Sequence, residues 1–366
     1  MDIFLDFGHN PLQFSQPVSV IRCHVPAELS LAFSEIEAAL ARGYYVAGFV
    51  SYEAGYAFEE RLIEQKRYKF PLLMMGVYRQ PLTQRMLRRI SRDFSVQDFS
   101  LNVSYGTYAS HIDTIRSHIA RGNVYQITYC IKHHFNFCGD PLALYAGLLR
   151  KQPVPYPAYI STDEFQILSL SPERFLKKES GFVTTEPMKG TWPRGRTIVT
   201  DLANRMRLWS DAKNRAENLM ICDLLRNDLG RVGRSIRAPK LFTVAGYRTL
   251  FQMTSTVTAL VEPEIPIYDL FAALFPSGSV TGCPKIRAMG IIRELENEER
   301  KIYTGAIGFI APNRDMYFNI PIRTILIEGE KAEMGVGGGI VWDSTARGEW
   351  DEGMLKSTFL TKMPTS

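Results

Sequence analysis

The sequence has few of the residues that mark several common classes of protein. Its five cysteines are an odd number without CxxC spacing, which argues against a disulfide framework or a zinc site and favours reduced thiols. All six histidines lie in the first 134 residues, so a proton shuttle or nucleophile later in the chain has to be glutamate, lysine, tyrosine or cysteine. No apolar run approaches the ~18 residues that cross a bilayer, and the first residues lack a signal-peptide pattern. We therefore expect a cytoplasmic protein that does not associate with membranes.

The sequence also has little excess of charge of either sign. The formal net charge is +5 over 366 residues, and the only local basic concentration is the short segment Arg85–Arg92. That segment lacks the interleaved aromatic residues of a nucleic-acid surface, so we interpret it as a solvated helix face and expect no nucleic-acid partner. With 45% hydrophobic residues the chain can bury a sizeable core.

Periodic apolar residues predict several helices. Segment 28–42 is followed by Gly43 and segment 107–121 by Gly122, and glycine is a common C-terminal cap. Ser210 is the predicted N-cap of a long helix that ends at Gly230. Further helices are predicted over 284–298 and 348–359.

Strand-like segments fill the space between the helices without strict βαβ alternation. This predicts an α+β fold with mainly antiparallel sheets. The charged stretch 78–103 shows no regular pattern, which places a boundary near residue 100. We expect an N-terminal subdomain over 1–100 that packs on a catalytic domain over 101–366.

Two glycine-rich segments are candidate ligand loops. Residues 276–287 place glycine and small hydroxyl residues directly before a predicted helix, which suits a carboxylate or phosphate; a simple helix-capping loop is the alternative. Residues 335–340 carry four glycines in five positions, which let backbone amides approach a ligand; a β-bulge with close sheet packing is the alternative.

Carboxylates and one lysine complete the candidate chemistry. Glu349, Glu352 and Lys356 share one face of the last helix, and Glu217 lies on the long helix. Glutamates without histidine or cysteine partners suit magnesium, although exposed helix faces are commonly rich in glutamate. Glu173 and Lys189 both lie beside residues that force turns, which makes Lys189 a better candidate nucleophile than the surface lysines.

Taken in order, these segments resemble the chorismate-utilising enzymes, the family of anthranilate, isochorismate and aminodeoxychorismate synthases. The resembling text consists of GNVYQIT, LSLSPERF, PMKGTWPRG, DAKNRAENLMICDLLRNDLGRV, FPSGSVTGCPKIRAMGIIRELE, YTGAIGF, IPIRT, GVGGGIVWDS and EWDEGMLK. The resemblance implies two large facing antiparallel sheets, with helices outside and the active site in the cleft between the sheets.

The resemblance also assigns roles to individual residues. It implies that Glu217, Glu349 and Glu352 bind Mg²⁺, and that Glu173 is a general acid/base. Substrate-binding positions are implied at Thr281, Gly282, Tyr303, Arg323, Gly337, Gly338 and Lys356. Gln252 and Asn214 depart from the family pattern.

Two positions separate the branches of the family. Gln126 stands where isochorismate synthases have a water-activating lysine, and Lys189 stands where anthranilate synthases have alanine. A lysine at this position resembles the aminodeoxychorismate branch. In that branch the lysine amine adds at C2 of chorismate and expels the C4 hydroxyl, and ammonia then adds at C4 and expels the lysine. The resemblance thus implies amination of chorismate at C4 for p-aminobenzoate and folate synthesis.

The sequence contains no glutaminase segment. We therefore expect ammonia to come from a separate glutamine amidotransferase subunit. Two alternatives stay open: an anthranilate synthase component I, against which Lys189 argues, and a catalytically silent chorismate-binding subunit, against which the retained glutamates and Lys189 argue.

Overall fold

The structure is a computed structural model that describes residues 1–8, 10–82, 94–247 and 250–361. The basic segment Arg85–Arg92 lies outside the described residues. No helix in the described part of the chain is long and apolar enough to cross a membrane.

The strands occur throughout the chain. They are β1 (Asp2–Phe7), β2 (Asn10–Phe14), β3 (Ser19–Cys23), β4 (Tyr45–Val50), β5 (Leu73–Tyr78), β6 (Phe94–Leu101), β7 (Gln126–Gly139), β8 (Tyr156–Ser161), β9 (Gln166–Ser171), β10 (Arg174–Glu179), β11 (Phe182–Glu186), β12 (Met188–Pro193), β13 (Arg234–Gly246), β14 (Leu250–Leu260), β15 (Gly282–Cys283), β16 (Ala306–Ile310), β17 (Met316–Asn319), β18 (Thr324–Glu328) and β19 (Lys331–Ile340).

The helices connect these strands. They are α1 (Leu29–Ala41), α2 (Ala54–Ala57), α3 (Tyr105–Ala120), α4 (Pro141–Lys151), α5 (Ile198–Ser210), α6 (Ala212–Gly230), α7 (Ile267–Leu274), α8 (Lys285–Leu295) and α9 (Ala346–Thr361). The glycines after α1 and α3 both have positive φ, +82° at Gly43 and +72° at Gly122, as a glycine cap requires.

The described strands form two large sheets. The first has nine strands in the order β15-β7-β19-β18-β9-β8-β1-β2, with β6 also paired to β7. The second has ten strands in the order β12-β14-β11-β10-β17-β16-β4-β5-β3, with β13 also paired to β14. The pairings between these strands are antiparallel, for example β7 with β19 and β4 with β16. This confirms the α+β fold predicted from the sequence.

An apolar layer joins the two sheets. Ile3 and Ile160 of the first sheet and Phe49 and Ile307 of the second belong to one buried cluster, and all four are fully buried. Their burial stabilises the fold by roughly 1.5–3 kcal/mol for each side chain. The sheets therefore face each other across a common core.

Strands from the first hundred residues enter both sheets. β1 pairs with β8 in the first sheet, and β4 pairs with β16 in the second. The division into 1–100 and 101–366 stays a prediction, and the described strands on either side of residue 100 share the same sheets.

Local details differ from the sequence-based expectations. Ser210 is the last residue of α5 and not a cap: Asp211 is the N-cap of α6, and its carboxylate accepts a hydrogen bond from Asn214 N at 2.8 Å. The stretch expected to be irregular contains β6. The expected glycine loop at 335–340 is part of β19, because its backbone pairs with β7 along its whole length.

Candidate active site

Lys189 lies at a bulge in β12, an edge strand of the second sheet. The register between β12 and β14 is interrupted between Met188 and Thr191, and Gly190 has a φ of +85°. A bulge turns a side chain away from the regular alternation of the strand. Here it places the Lys189 amine close to the first sheet, since a Cβ on Gly339 of β19 would lie 3.2 Å from Lys189 Nζ.

Glu173 lies where the chain crosses from the first sheet to the second. It follows β9 and immediately precedes β10, and only 3% of its surface is exposed. Its carboxylate accepts hydrogen bonds from Ser279 Oγ at 2.6 Å and from Met188 N at 3.4 Å. Because Met188 is the residue before Lys189, the carboxyl and the amine lie close together, and the charge of each acts on the pKa of the other.

Burial shifts both groups toward their neutral forms. It raises the pKa of Glu173 to about 7, opposed by the hydrogen bond from Ser279 and the charge of Lys189. It also lowers the pKa of Lys189, opposed by the charges of Glu217 and Glu173. Burial thus favours an acid beside a nucleophile, which is the pair that addition with loss of a hydroxyl group requires.

The glycines of β19 leave room along the first sheet. A Cβ on Gly335 would overlap the ring of Tyr303, and one on Gly338 would lie 3.0 Å from Glu349 Oε2. A Cβ on Gly339 would overlap the side-chain amide of Gln126. These glycines are therefore sites of close approach within a strand, where β19 comes close to Tyr303, to Gln126 of β7 and to Glu349 of the last helix.

Three carboxylates reach the same region from two helices. Glu217 lies on α6, and Glu349 and Glu352 lie on α9. Burial raises the pKa values of Glu217 and Glu349, and each has a further carboxylate close enough to raise its pKa more. Lys356 lowers the pKa of Glu352 through an ion pair of 2.7 Å. A set of oxygen donors with excess negative charge suits a hard divalent cation.

A different group of residues has its ligand atoms closer together. One ligand atom each from His134, Glu298 and Glu333 lies within 4.8 Å of the others, so this group could hold a metal ion. Within the described chain, Glu217, Glu349 and Glu352 do not form such a group. However, Glu333 is already paired with Lys132 at 2.5 Å and Lys301 at 2.9 Å, which neutralises much of the negative charge there.

The predicted substrate-binding residues lie on several elements. Arg323 has a φ of +52° in the link between β17 and β18, and burial lowers its pKa. Among the described residues no carboxylate pairs with it. Arg323 is half-buried, and a guanidinium of this kind without an anionic partner suits a substrate carboxylate.

Other predicted residues have protein partners in this structure. Lys356 Nζ donates to Gly337 O at 2.9 Å, besides its pairing with Glu352. Thr281 is fully buried, and its hydroxyl donates to Ser277 O at 2.8 Å. Gly282 pairs with Ile127 at the edge of β7.

Ser279 lies beside Glu173 in the structure, although the sequence does not single it out. Its hydroxyl is the closest partner of Glu173 across 106 positions of sequence. The segment 276–287 was singled out for its glycines and its backbone amides, and a contact of that sequence separation leaves no local signal. The one available hint is the density of hydroxyl residues in that segment.

A profile of chorismate binding enzymes matches residues 22–362, which is most of the chain. The chain belongs to the chorismate binding enzyme family. This confirms the resemblance found in the sequence.

Known members of the chorismate binding enzyme family match most of the chain. Aminodeoxychorismate synthase component 1 of Bacillus subtilis (strain 168) is 38% identical over 252 residues, which are 68% of this chain and 54% of the relative. Anthranilate synthase component 1 of Aquifex aeolicus (strain VF5) is 34% identical over 278 residues, which are 75% of this chain and 56% of the relative. The chain thus spans about half the length of the curated relatives it matches.

The fold of the family is also that of this chain. The crystal structure of anthranilate synthase component I from Streptococcus pneumoniae TIGR4 has a TM-score of 0.79 and 26% sequence identity. The match covers 98% of this chain and 89% of that chain. The two facing sheets are therefore confirmed as the fold of this family.

Proposed function

We propose that the chain aminates chorismate at C4 and forms 4-amino-4-deoxychorismate, as the component I of an aminodeoxychorismate synthase. The observation that carries the proposal is Lys189. Its side chain lies half-buried at a β-bulge, loss of solvent lowers the pKa of its amine, and Glu173 lies beside it with a pKa of about 7. The relatives named aminodeoxychorismate synthase component 1 support this function.

Two steps place the nitrogen at C4. In the first, the neutral Lys189 amine forms a bond to C2, the two ring double bonds shift, and the C4 hydroxyl leaves as water after it takes the proton of Glu173. In the second, ammonia forms a bond to C4, the two double bonds shift back, and Lys189 leaves from C2 as the neutral amine. The new ammonium group at C4 then gives one proton to the Glu173 carboxylate, which restores the enzyme.

Other residues of the cleft hold the substrate. Arg323 binds one carboxylate in bidentate fashion, and Tyr303, Lys356, and the backbone at Gly337 and Gly338 complete the contacts. Thr281 and Gly282 support the ring. Glu217, Glu349 and Glu352 would hold Mg²⁺, which neutralises the ring carboxylate when it is bound.

The second step requires a supply of ammonia. We assign it to a separate glutamine amidotransferase subunit, in keeping with the word component in the names of the bacterial relatives. We also assign the enzyme to the cytoplasm, since all five cysteines are free thiols.

The test is product formation by the purified chain with chorismate, Mg²⁺ and ammonium at pH 8–9. We expect no fluorescent product until an aminodeoxychorismate lyase is added, and p-aminobenzoate after that addition. Direct appearance of fluorescent anthranilate would instead identify an anthranilate synthase component I. No amine product under either condition would identify a silent subunit.

A further inference from the structure

Helix α5 exposes an apolar face that no described residue covers. Ile198, Val199, Leu202, Met206 and Trp209 are each between 50% and 82% exposed. At about 100° per residue these positions fall within an arc of roughly 100° on the helix. We call these five side chains the α5 face.

The opposite side of α5 fixes the helix to the second sheet. Leu208 is fully buried and packs in a cluster with Val244, Phe251 and Met253. At the N-terminus, Thr197 and Thr200 form a capping box. The helix is therefore anchored with its apolar face outward, and a contiguous exposed apolar surface of this kind marks an interaction site.

The α5 face lies beside the proposed active site. The helix follows β12, the strand of Lys189, and packs against that strand. At its other end, Trp209 lies two residues before Asp211, the N-cap of α6, the helix that carries Glu217. A protein bound to this face would therefore lie next to two elements that form the site.

Positive charge surrounds the α5 face. Arg196, Arg205 and Arg207 are exposed, and the described part of the chain provides no ion pair for them. A second copy of the chain would bring like charges together, which disfavours self-association. A partner whose apolar patch has an acidic rim is complementary to the apolar side chains of the α5 face and to the arginines around them.

We propose that the α5 face is the docking surface for the ammonia-supplying glutamine amidotransferase subunit, through an apolar patch with an acidic rim. The proposal rests on the proposed function, since that function requires an ammonia source whose product reaches Lys189 and the bound ring. Docking on α5 places that source directly beside the strand of Lys189.

The test compares two sources of nitrogen in one variant. Met206→Glu places a negative charge in the centre of the α5 face, and Leu31→Glu on α1 is the matched control, because Leu31 is similarly exposed at 61%. Each variant is mixed with the glutamine amidotransferase subunit of the same organism. We expect Met206→Glu to lower the glutamine-dependent rate and the affinity measured by sedimentation about tenfold or more. Its ammonium-dependent rate and all rates of Leu31→Glu should stay within about twofold of wild type.

Each other outcome has a defined meaning. Unchanged affinity in both Met206→Glu and the milder Leu202→Ser would overturn the docking surface while ammonium-dependent C4 amination still supports the function. A homodimer of the wild-type chain that Met206→Glu dissociates would assign the face to self-association and overturn the proposal. If Met206→Glu loses the ammonium-dependent rate and Leu202→Ser does not, the affinity of Leu202→Ser measured by sedimentation decides whether the α5 face is the docking surface. If wild type makes no C4-aminated product from ammonium, the function itself fails.

Discussion

At the scale of single residues, burial of Glu173 couples the proposed chemistry to the stability of the fold. The carboxyl has an ordinary pKa of 4.5 in the unfolded chain and a pKa of about 7 when it is buried in the cleft. The folded state thus binds the proton more tightly. The stabilising contribution is complete below about pH 4.5 and is lost as the pH rises through about 7.

Glu173→Gln removes this dependence. We expect the variant to gain stability relative to wild type as the pH rises from 5 to 8, by roughly 2 kcal/mol in the free energy of unfolding. It should also lose most C4 amination, because an amide does not protonate the leaving hydroxyl. Urea unfolding at both pH values measures the difference, with exposed Glu294→Gln as control. An equal difference between Glu173→Gln and wild type at both pH values would contradict the buried, protonated carboxyl.

The metal assignment makes a second prediction for single residues. Glu217→Gln and Glu352→Gln should each lower turnover at least about 100-fold, a loss of roughly 2.7 kcal/mol of transition-state stabilisation, because each removes a ligand charge. Calorimetric titration with Mg²⁺ should show weaker binding in the same variants. EDTA should abolish the activity of wild type.

Glu298→Gln is the matched control, since Glu298 belongs to the alternative acidic group with His134 and Glu333. We expect it to bind Mg²⁺ and turn over chorismate as wild type does. Near-normal turnover of Glu217→Gln and Glu352→Gln in EDTA-treated buffer would refute the assignment.

At the scale of elements, β19 shows how glycine in a strand creates a site. Gly339→Ala would place a methyl group against the amide of Gln126 and 3.2 Å from Lys189 Nζ. We expect kcat to fall about tenfold or more, because the added methyl group moves the Lys189 amine away from the ring of bound chorismate by a fraction of an ångström. Steady-state kinetics with ammonium measures the loss. Gly230→Ala is the control, since nothing lies within 4 Å of its added Cβ; equal kinetics of the two variants would contradict the close approach.

The elements also show what sequence patterns could and could not predict. Helices α1 and α3 were predicted because apolar spacing and a following glycine agree. Helix α5 was missed, since its large apolar side chains face outward and its core face contributes one fully buried residue, Leu208. The glycines of 335–340 predict a loop because glycine has low strand propensity, whereas the observed strand depends on pairing with β7, which is a tertiary contact.

At the scale of the whole molecule, the two-sheet fold was predicted because several segments occur in the same order as in the chorismate-utilising enzymes. The meeting of Lys189 and Gly339 across the sheets depends on pairings far apart in sequence, which local patterns do not encode. The same holds for Ser279 beside Glu173. The roles of the site residues stay predictions, and the partners that set the protonation of Glu173 and Lys189 could not be predicted from the sequence.

The central claim is that Lys189 bonds to the substrate so that nitrogen enters at C4. In the Lys189→Ala variant the covalent step is removed and C2 is left open, so ammonia should attack there and give a 2-amino product. Lys331→Ala is the control, because Lys331 is an exposed lysine of β19. This variant should behave as wild type does.

The measurement that tests the claim most directly is intact-protein mass spectrometry after rapid quench with chorismate and Mg²⁺, together with the position of nitrogen in the product made from labelled ammonium. We expect a chorismate-derived adduct on wild type and on Lys331→Ala, none on Lys189→Ala, and C4 amination only where the adduct forms. Full C4 amination by Lys189→Ala, with no adduct on wild type, would contradict the account and make Lys189 a structural residue.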